Sequence, residues 1–197
     1  MKILCWVMGL FLSCAVSETA FAQAQRKAPE IKGKVWFNAS SYKKINIKAL
    51  RGKAVLVFFW TSNDINCGIA ISYLNQWYSQ YKDKGLEIIG VHTSEWAFNA
   101  SESEVFNRIE ALGIKFPVVL DNDSSMRAAY GQLPWPSFTL VDRGGYIRAQ
   151  YSIFFKYSDI KIMLQTLLEE GESMMLFKRV HIYPVRDYKI SNGVYQR

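Results

Sequence analysis

The chain has 197 residues, 50% of them hydrophobic, and 24 Lys and Arg against 17 Asp and Glu give a formal net charge of +7. That length suits one ordinary domain with a sizeable buried core, and the basic residues are spread along it, with modest clusters at Lys43-Lys44 and Lys178-Arg179. No zinc-finger spacing, RNP-type motif or basic helix accompanies the charge, and His92 and His181 are the only histidines, so nucleic-acid binding, a metal site and a cofactor are not expected.

Residues 1–22 read as an export signal: Lys2, an apolar stretch from Ile3 to Val16, then the small-x-small pattern Ala20-Phe21-Ala22. The stretch is shorter than the roughly 20 residues of a spanning helix. The expectation is cleavage after Ala22, a bacterial periplasmic location, and a mature chain without a membrane span. A buried N-terminal helix, a retained anchor, or a lipoprotein lipidated at Cys14 are the competing readings. Cleavage removes Cys5 and Cys14 and leaves Cys67 alone. In an oxidising compartment, where cysteines are usually paired, such a thiol is either buried and inert or pairs between molecules.

After the polar stretch "QAQRKAPEIKG", the run "KVWF" (34–37) predicts a short strand. "AVLVFFW" (54–60) is continuously apolar, β-branched and aromatic, the pattern of a central strand buried on both faces. From Ile65 onward Ile65, Ile69, Leu74, Trp77, Tyr78 and Tyr81 recur at helical spacing, until "KDKG", where lysines and Gly85 suit a C-terminus. "LEIIGVH" (86–92) predicts the next strand, and Ser101 with Glu104 forms a capping box for a helix carrying Val105, Phe106, Ile109 and Leu112 and closed by Gly113. "FPVVL" predicts a short strand, "DNDSSMRAAYG" a turn and short helix, "SFTLVD" another strand, and "DRGG" a hairpin turn into "YIRAQY". A last helix runs from Ser158 to Glu170 and carries Ile160, Met163, Leu164, Leu167 and Leu168. This order predicts an α/β fold, one sheet with helices on both faces. The domain is expected to span 23–171, with a C-terminal extension, 172–197, packed on it through Val180, Ile182, Tyr183, Tyr188 and Tyr195.

The blocks "LRGKAVLVFFWTSNDINC", "YLNQWYSQYKDKGLEIIGVHTSEWAF", "FPVVLDND" and "AAYGQLPWPSFTLVDRGGYIR" resemble, in order and spacing, the thioredoxin-like domain of DipZ/TlpA-type (AhpC/TSA-related) thiol–disulfide proteins. The resemblance runs from Ala28 to Glu170. It implies a thioredoxin fold with a central mixed sheet and two functional features. One is a Cys-x-x-Cys at the end of the first central strand, typically Cys-Ile-Asn-Cys in the DipZ branch. The other is a cis-proline loop, here "PWPSF", with Pro136 in the proline slot and Pro134 as a second candidate. In the family this loop faces the cysteines and offers backbone groups to an extended substrate strand, and the resemblance implies that Trp60 and Trp135 flank that surface.

Asp64-Ile65-Asn66-Cys67 departs from the motif at its first position, leaving a degenerate Cys-x-x-Cys. In such motifs the first cysteine is the nucleophile, because the helix N-terminus stabilises its thiolate, and the second resolves the mixed disulfide. Asp64 has no sulfur, so that cycle cannot run within one chain. Aspartate is among the best N-cap residues; it can also contact a partner or modulate Cys67. Cys67, one turn into the helix, is either a buried inert thiol or an active single thiol. A peroxidase-like role borrows from peroxiredoxins, whose peroxidatic cysteine follows Thr-x-x, although Trp60 replaces the proline of that motif and an acid beside the thiol disfavours the thiolate. His92 ends its strand at the carboxyl edge, where open α/β sheets place their sites. It reads as a general base or as a histidine that merely bonds backbone, and Glu95 and Trp96 follow on the same loop. Two functions stand: an exported thioredoxin-like protein acting on protein thiols or disulfides through Cys67 alone or with a partner's thiol, or a non-catalytic module holding an extended peptide along the Pro136 groove. The sequence leaves the oligomeric state open.

Overall fold

The computed structural model describes residues 26–39, 45–94, 101–152, 155–182, 190–191 and 194–195. The expected leader with Cys5 and Cys14, and also Glu95 and Trp96, lie outside the described residues.

Strands Trp36–Phe37 (β1), Ala54–Trp60 (β2), Leu86–His92 (β3), Val118–Leu120 (β4), Ser137–Val141 (β5) and Ile147–Ser152 (β6) form one mixed sheet in the order β1-β4-β3-β2-β5-β6. β2 is central, parallel to β3 and antiparallel to β5. All of its residues are buried, as a continuous apolar run requires when both sheet faces are covered. Its side chains alternate between two cores. Ala54, Leu56, Phe58 and Trp60 pack with Leu74, Trp77, Val105, Ile160 and Leu164 on one face. Val55, Val57 and Phe59 pack with Ile31, Ile47, Met126 and Tyr130 on the other.

The helices begin and end where local chemistry dictates. α1 (Ile65–Tyr81) continues into a 3-10 turn, Lys82–Lys84, which Gly85 stops in the left-handed conformation, φ 93°. α2 (Glu102–Ala111) opens on the expected capping box with both arms formed: Ser101 Oγ accepts from Glu104 N at 3.2 Å, and the Glu104 carboxylate accepts from Ser101 N at 2.9 Å. α3 (Ser125–Ala129) follows β4, and α4 (Tyr157–Ile182) closes the domain.

α4 corrects the expected end at Glu170. The helix runs on to Ile182, so a boundary between 171 and 172 falls inside it. Within the continuing helix Gly171 is a close-approach site: a Cβ there would overlap the Arg143 guanidinium, which donates to the carbonyls of Leu168 at 3.1 Å and Gly52 at 2.9 Å. Beyond α4, Ile190–Ser191 (β7) pairs with Val194–Tyr195 (β8). The side chains expected to pack this extension on the domain lie outside the described residues. Among the described residues no helix is long and apolar enough to cross a membrane.

Candidate functional site

Strand register brings the site together. Phe59 pairs with Ser137 across β2 and β5, so Pro136 stands beside Trp60 at the sheet's carboxyl edge. Trp60 pairs with His92 on its other side, and His92 with Leu120. The same edge delivers the chain through Thr61–Asn63 into α1.

Asp64 has extended backbone, φ −87° and ψ 121°, and is the N-cap of α1; its Oδ1 accepts from Cys67 N at 2.9 Å. The capping reading of Asp64 therefore holds, with a carboxylate at the positive end of the helix. Cys67 is the one cysteine among the described residues, and it is 1% exposed. It belongs to the inward stripe of α1 with Ala70, Ile71, Leu74, Trp77 and Tyr81. Tyr157 lies on the same side; burial pushes its phenol pKa up, and neighbouring Tyr73 and Cys67 add to the effect. Ile65 and Ile69, counted with the apolar face from their spacing, point outward instead, 77% and 49% exposed. The inward positions of the first turns are taken by Cys67 and Ala70, whose small side chains let the helix lie close to the sheet.

The Trp135-Pro136 peptide bond is cis, which assigns the proline slot to Pro136 over Pro134. Pro136 is buried, Trp135 is half-buried and Pro134 exposed. Trp60 does not flank this surface as expected. It is fully buried with its ring edge-on to His92, centroids 4.8 Å apart. The reason is parity: even-numbered residues of β2 face the core beneath α1 and α4, and Trp60 completes that row.

His92 is 1% exposed, and its Nε2 lies 2.8 Å from the hydroxyl of Ser62. Its partner is thus a side chain across the elbow rather than the backbone expected for a strand-end histidine. Burial lowers its pKa to about 4, so the ring is neutral near pH 7. A buried neutral imidazole of this kind orients Ser62 and is poorly placed to trade protons with a bound partner. Asp121, also 1% exposed, anchors the neighbouring strand end: its N–H donates to His92 O at 2.8 Å, and its carboxylate accepts from Met126 N and Arg127 N at 3.1 and 2.9 Å. Sequence reasoning missed Ser62 and Asp121. Ser62 pairs with a residue 30 positions away, and Asp121 sits in "DNDSS", which carries only a turn signal.

Comparisons agree with this architecture. The AhpC/TSA family model matches residues 24–150. The protein DipZ of Mycobacterium bovis is 43% identical over 122 residues, 61% of this chain and 18% of DipZ. The thiol–disulfide oxidoreductase ResA of Bacillus thuringiensis is 35% identical over 108 residues, 55% of this chain and 60% of ResA. The chain thus spans only part of the length of either relative. Among solved structures, the thioredoxin domain of a thiol–disulfide oxidoreductase from Bacteroides vulgatus superposes with a TM-score of 0.61 at 26% identity, covering 73% of this chain and 96% of that one. A crystal structure of a protein from Chlorobium tepidum shares the fold, with a TM-score of 0.60 at 22% identity over 75% of this chain and 96% of that one. With its sheet order, its helices and the matched stretch, this chain is a thioredoxin-fold protein that belongs to the AhpC/TSA family, in the company of the thioredoxin-like thiol–disulfide oxidoreductases.

Proposed function

We propose that the chain is an exported thioredoxin-like protein that recognises protein partners along the Trp135–Pro136 loop and runs no two-cysteine exchange cycle, because Asp64 occupies the first-cysteine position of the family motif. One observation carries this reading: the Asp64 carboxylate is engaged as the cap of α1, and Cys67 is 1% exposed. Attack on a disulfide needs a thiolate that reaches it, and Cys67 faces the core. The partner fitting this surface is an extended peptide segment, paired through the backbone entering β5. Export rests on the leader pattern of residues 1–22, and N-terminal sequencing of the secreted protein is expected to begin at Gln23.

A second reading keeps single-thiol exchange with protein thiols, favoured by the place of Cys67 in the first turn of α1, where the helix field stabilises a thiolate. Iodoacetamide labelling of the folded protein, across pH values bracketing the ordinary thiol pKa of about 8.5, separates the two. The expected result is no modification of Cys67 until the protein is denatured. Labelling of the native fold at the rate of a small model thiol overturns the binding reading in favour of the redox one.

A further inference from the structure

The loop from α3 to β5 is held at its start by Gln150, whose Nε2 donates to Tyr130 O at 2.9 Å, and over its second half by Arg127. It turns through two successive left-handed residues, Gly131 at φ 99° and Gln132 at φ 52°, which leaves the carbonyls of Gln132 and Leu133 outside any ladder. Arg127 takes both: Nε donates to Leu133 O at 3.3 Å, and Nη2 donates to Leu133 O at 3.0 Å and Gln132 O at 3.4 Å. The same guanidinium lies over the Trp135 ring, 4.1 Å from its centre. The backbone of Arg127 is tied at both ends as well. Its N–H donates to the Asp121 carboxylate at 2.9 Å, and its carbonyl accepts from Gln132 N at 2.9 Å.

We infer that Arg127 is the positioning residue of the partner groove: its guanidinium fixes the Trp135 indole and the two loop carbonyls, so that the backbone entering Pro136 is held in one arrangement for an extended partner. The inference rests on the groove reading of the Trp135–Pro136 loop. Its geometry is specific to arginine. A planar fork can bond two carbonyls along its edge while stacking its face on an indole, whereas an ammonium offers the charge without the fork. Two ends of the site meet in this residue. Through Asp121, whose N–H bonds His92 O at 2.8 Å, α3 is pinned to the strand end beside Ser62; through its own side chain it reaches the loop. Ordering the loop in advance removes the cost of immobilising it when a partner binds.

The test uses the full chain labelled with 15N-tryptophan, the Trp135 indole signal being identified by its loss in Trp135→Phe. In Arg127→Met, which keeps a stem of similar reach without the fork or charge, the Trp135 indole is expected to shift and its order parameter to fall from the rigid range, about 0.85, to below about 0.6, while the other indole signals keep their positions. Arg127→Lys is expected to fall between the two, because it keeps charge over the ring and loses the fork; it carries the test should Arg127→Met not fold. A Trp135 indole of unchanged position and order in both variants overturns the inference. A second arm reads the consequence in the Asp64→Cys background, with insulin as the polypeptide disulfide and dithiothreitol as the dithiol that re-reduces the enzyme and is itself oxidised. Arg127→Met is expected to raise KM about tenfold, as when an anchor must be re-ordered on binding, with a smaller change in kcat. A fall in kcat at constant KM overturns the positioning role. Failure of Asp64→Cys itself to reduce insulin would mean that the redox site is beyond repair by one substitution, which leaves the binding reading standing and the indole measurement to decide the role of Arg127.

Discussion

Acidification should destabilise this fold through a single buried ring. His92 titrates at about 4 in the native state, pushed down by burial, against 6.5 for an unhindered histidine. The unfolded chain therefore binds a proton first as pH falls, so the native state loses stability progressively from the unfolded value of 6.5 down towards 4 and keeps all of it above. With 1.36 kcal/mol for each unit of separation, the loss is between about 1 and 2 kcal/mol at pH 5.5 and about 3 kcal/mol at pH 4. For a domain of this size that moves a urea midpoint by about 1 to 2 M. Carboxylates contribute their own acid dependence, so the measurement is a difference. Urea unfolding of the natural chain and of His92→Gln is followed at pH 7.5, 5.5, 4.5 and 4, and His92→Gln, which cannot gain the proton, is expected to lose less over this range by the amounts given. Parallel losses in the two chains would refute the reasoning, and would mean that the ring is solvated or finds an acceptor that stabilises its charged form.

Asp64→Cys is expected to restore a working Cys-Ile-Asn-Cys. The new sulfur stands at the N-cap of α1, three residues before Cys67, and the exchange of cap costs about 0.5–2 kcal/mol. Mild oxidation should close the disulfide, and insulin reduction with dithiothreitol, which the natural chain should not accelerate over the uncatalysed control, should appear; two thiols persisting after oxidation with no reduction would show a site beyond repair by one substitution. Gly90→Ala in β3 should destabilise the fold by about 1–3 kcal/mol in urea unfolding, because its Cβ would stand 3.1 Å from the side chains of Phe116 and Val118 and 3.3 Å from Trp60 Nε1. An unchanged midpoint there would mean that the packing around Trp60 yields freely.

What the sequence determined by itself is what neighbours along the chain decide. The run "AVLVFFW" can only be a strand covered on both sides; Asp64 and Ser101 start helices because each reaches an amide three residues on; and Gly85 ends one because a left-handed residue stops the ladder. These signals lie within one turn of helix or one pleat of strand, and each appears in the fold where the pattern placed it. Tertiary structure decided which side of each element faces the core. Helical spacing grouped Ile65 and Ile69 with Leu74 and Trp77, yet the sheet lies on the side of Cys67 and Ala70. Nothing local separates Trp60 from Trp135, which the packing of α1 and α4 divides into a core ring and a rim ring. The absence of a side chain at Gly171 finds its reason only in Arg143, 28 positions earlier, whose guanidinium takes the space a Cβ would fill. His92 with Ser62, and Arg127 with the carbonyls of its loop, likewise became partners only when strand register and the turn after α3 set them within hydrogen-bonding distance. A hydrogen bond or a buried face depends on distance in space, and the spacing of residues along the chain carries that information only over the few positions that one helix turn or one strand pair spans.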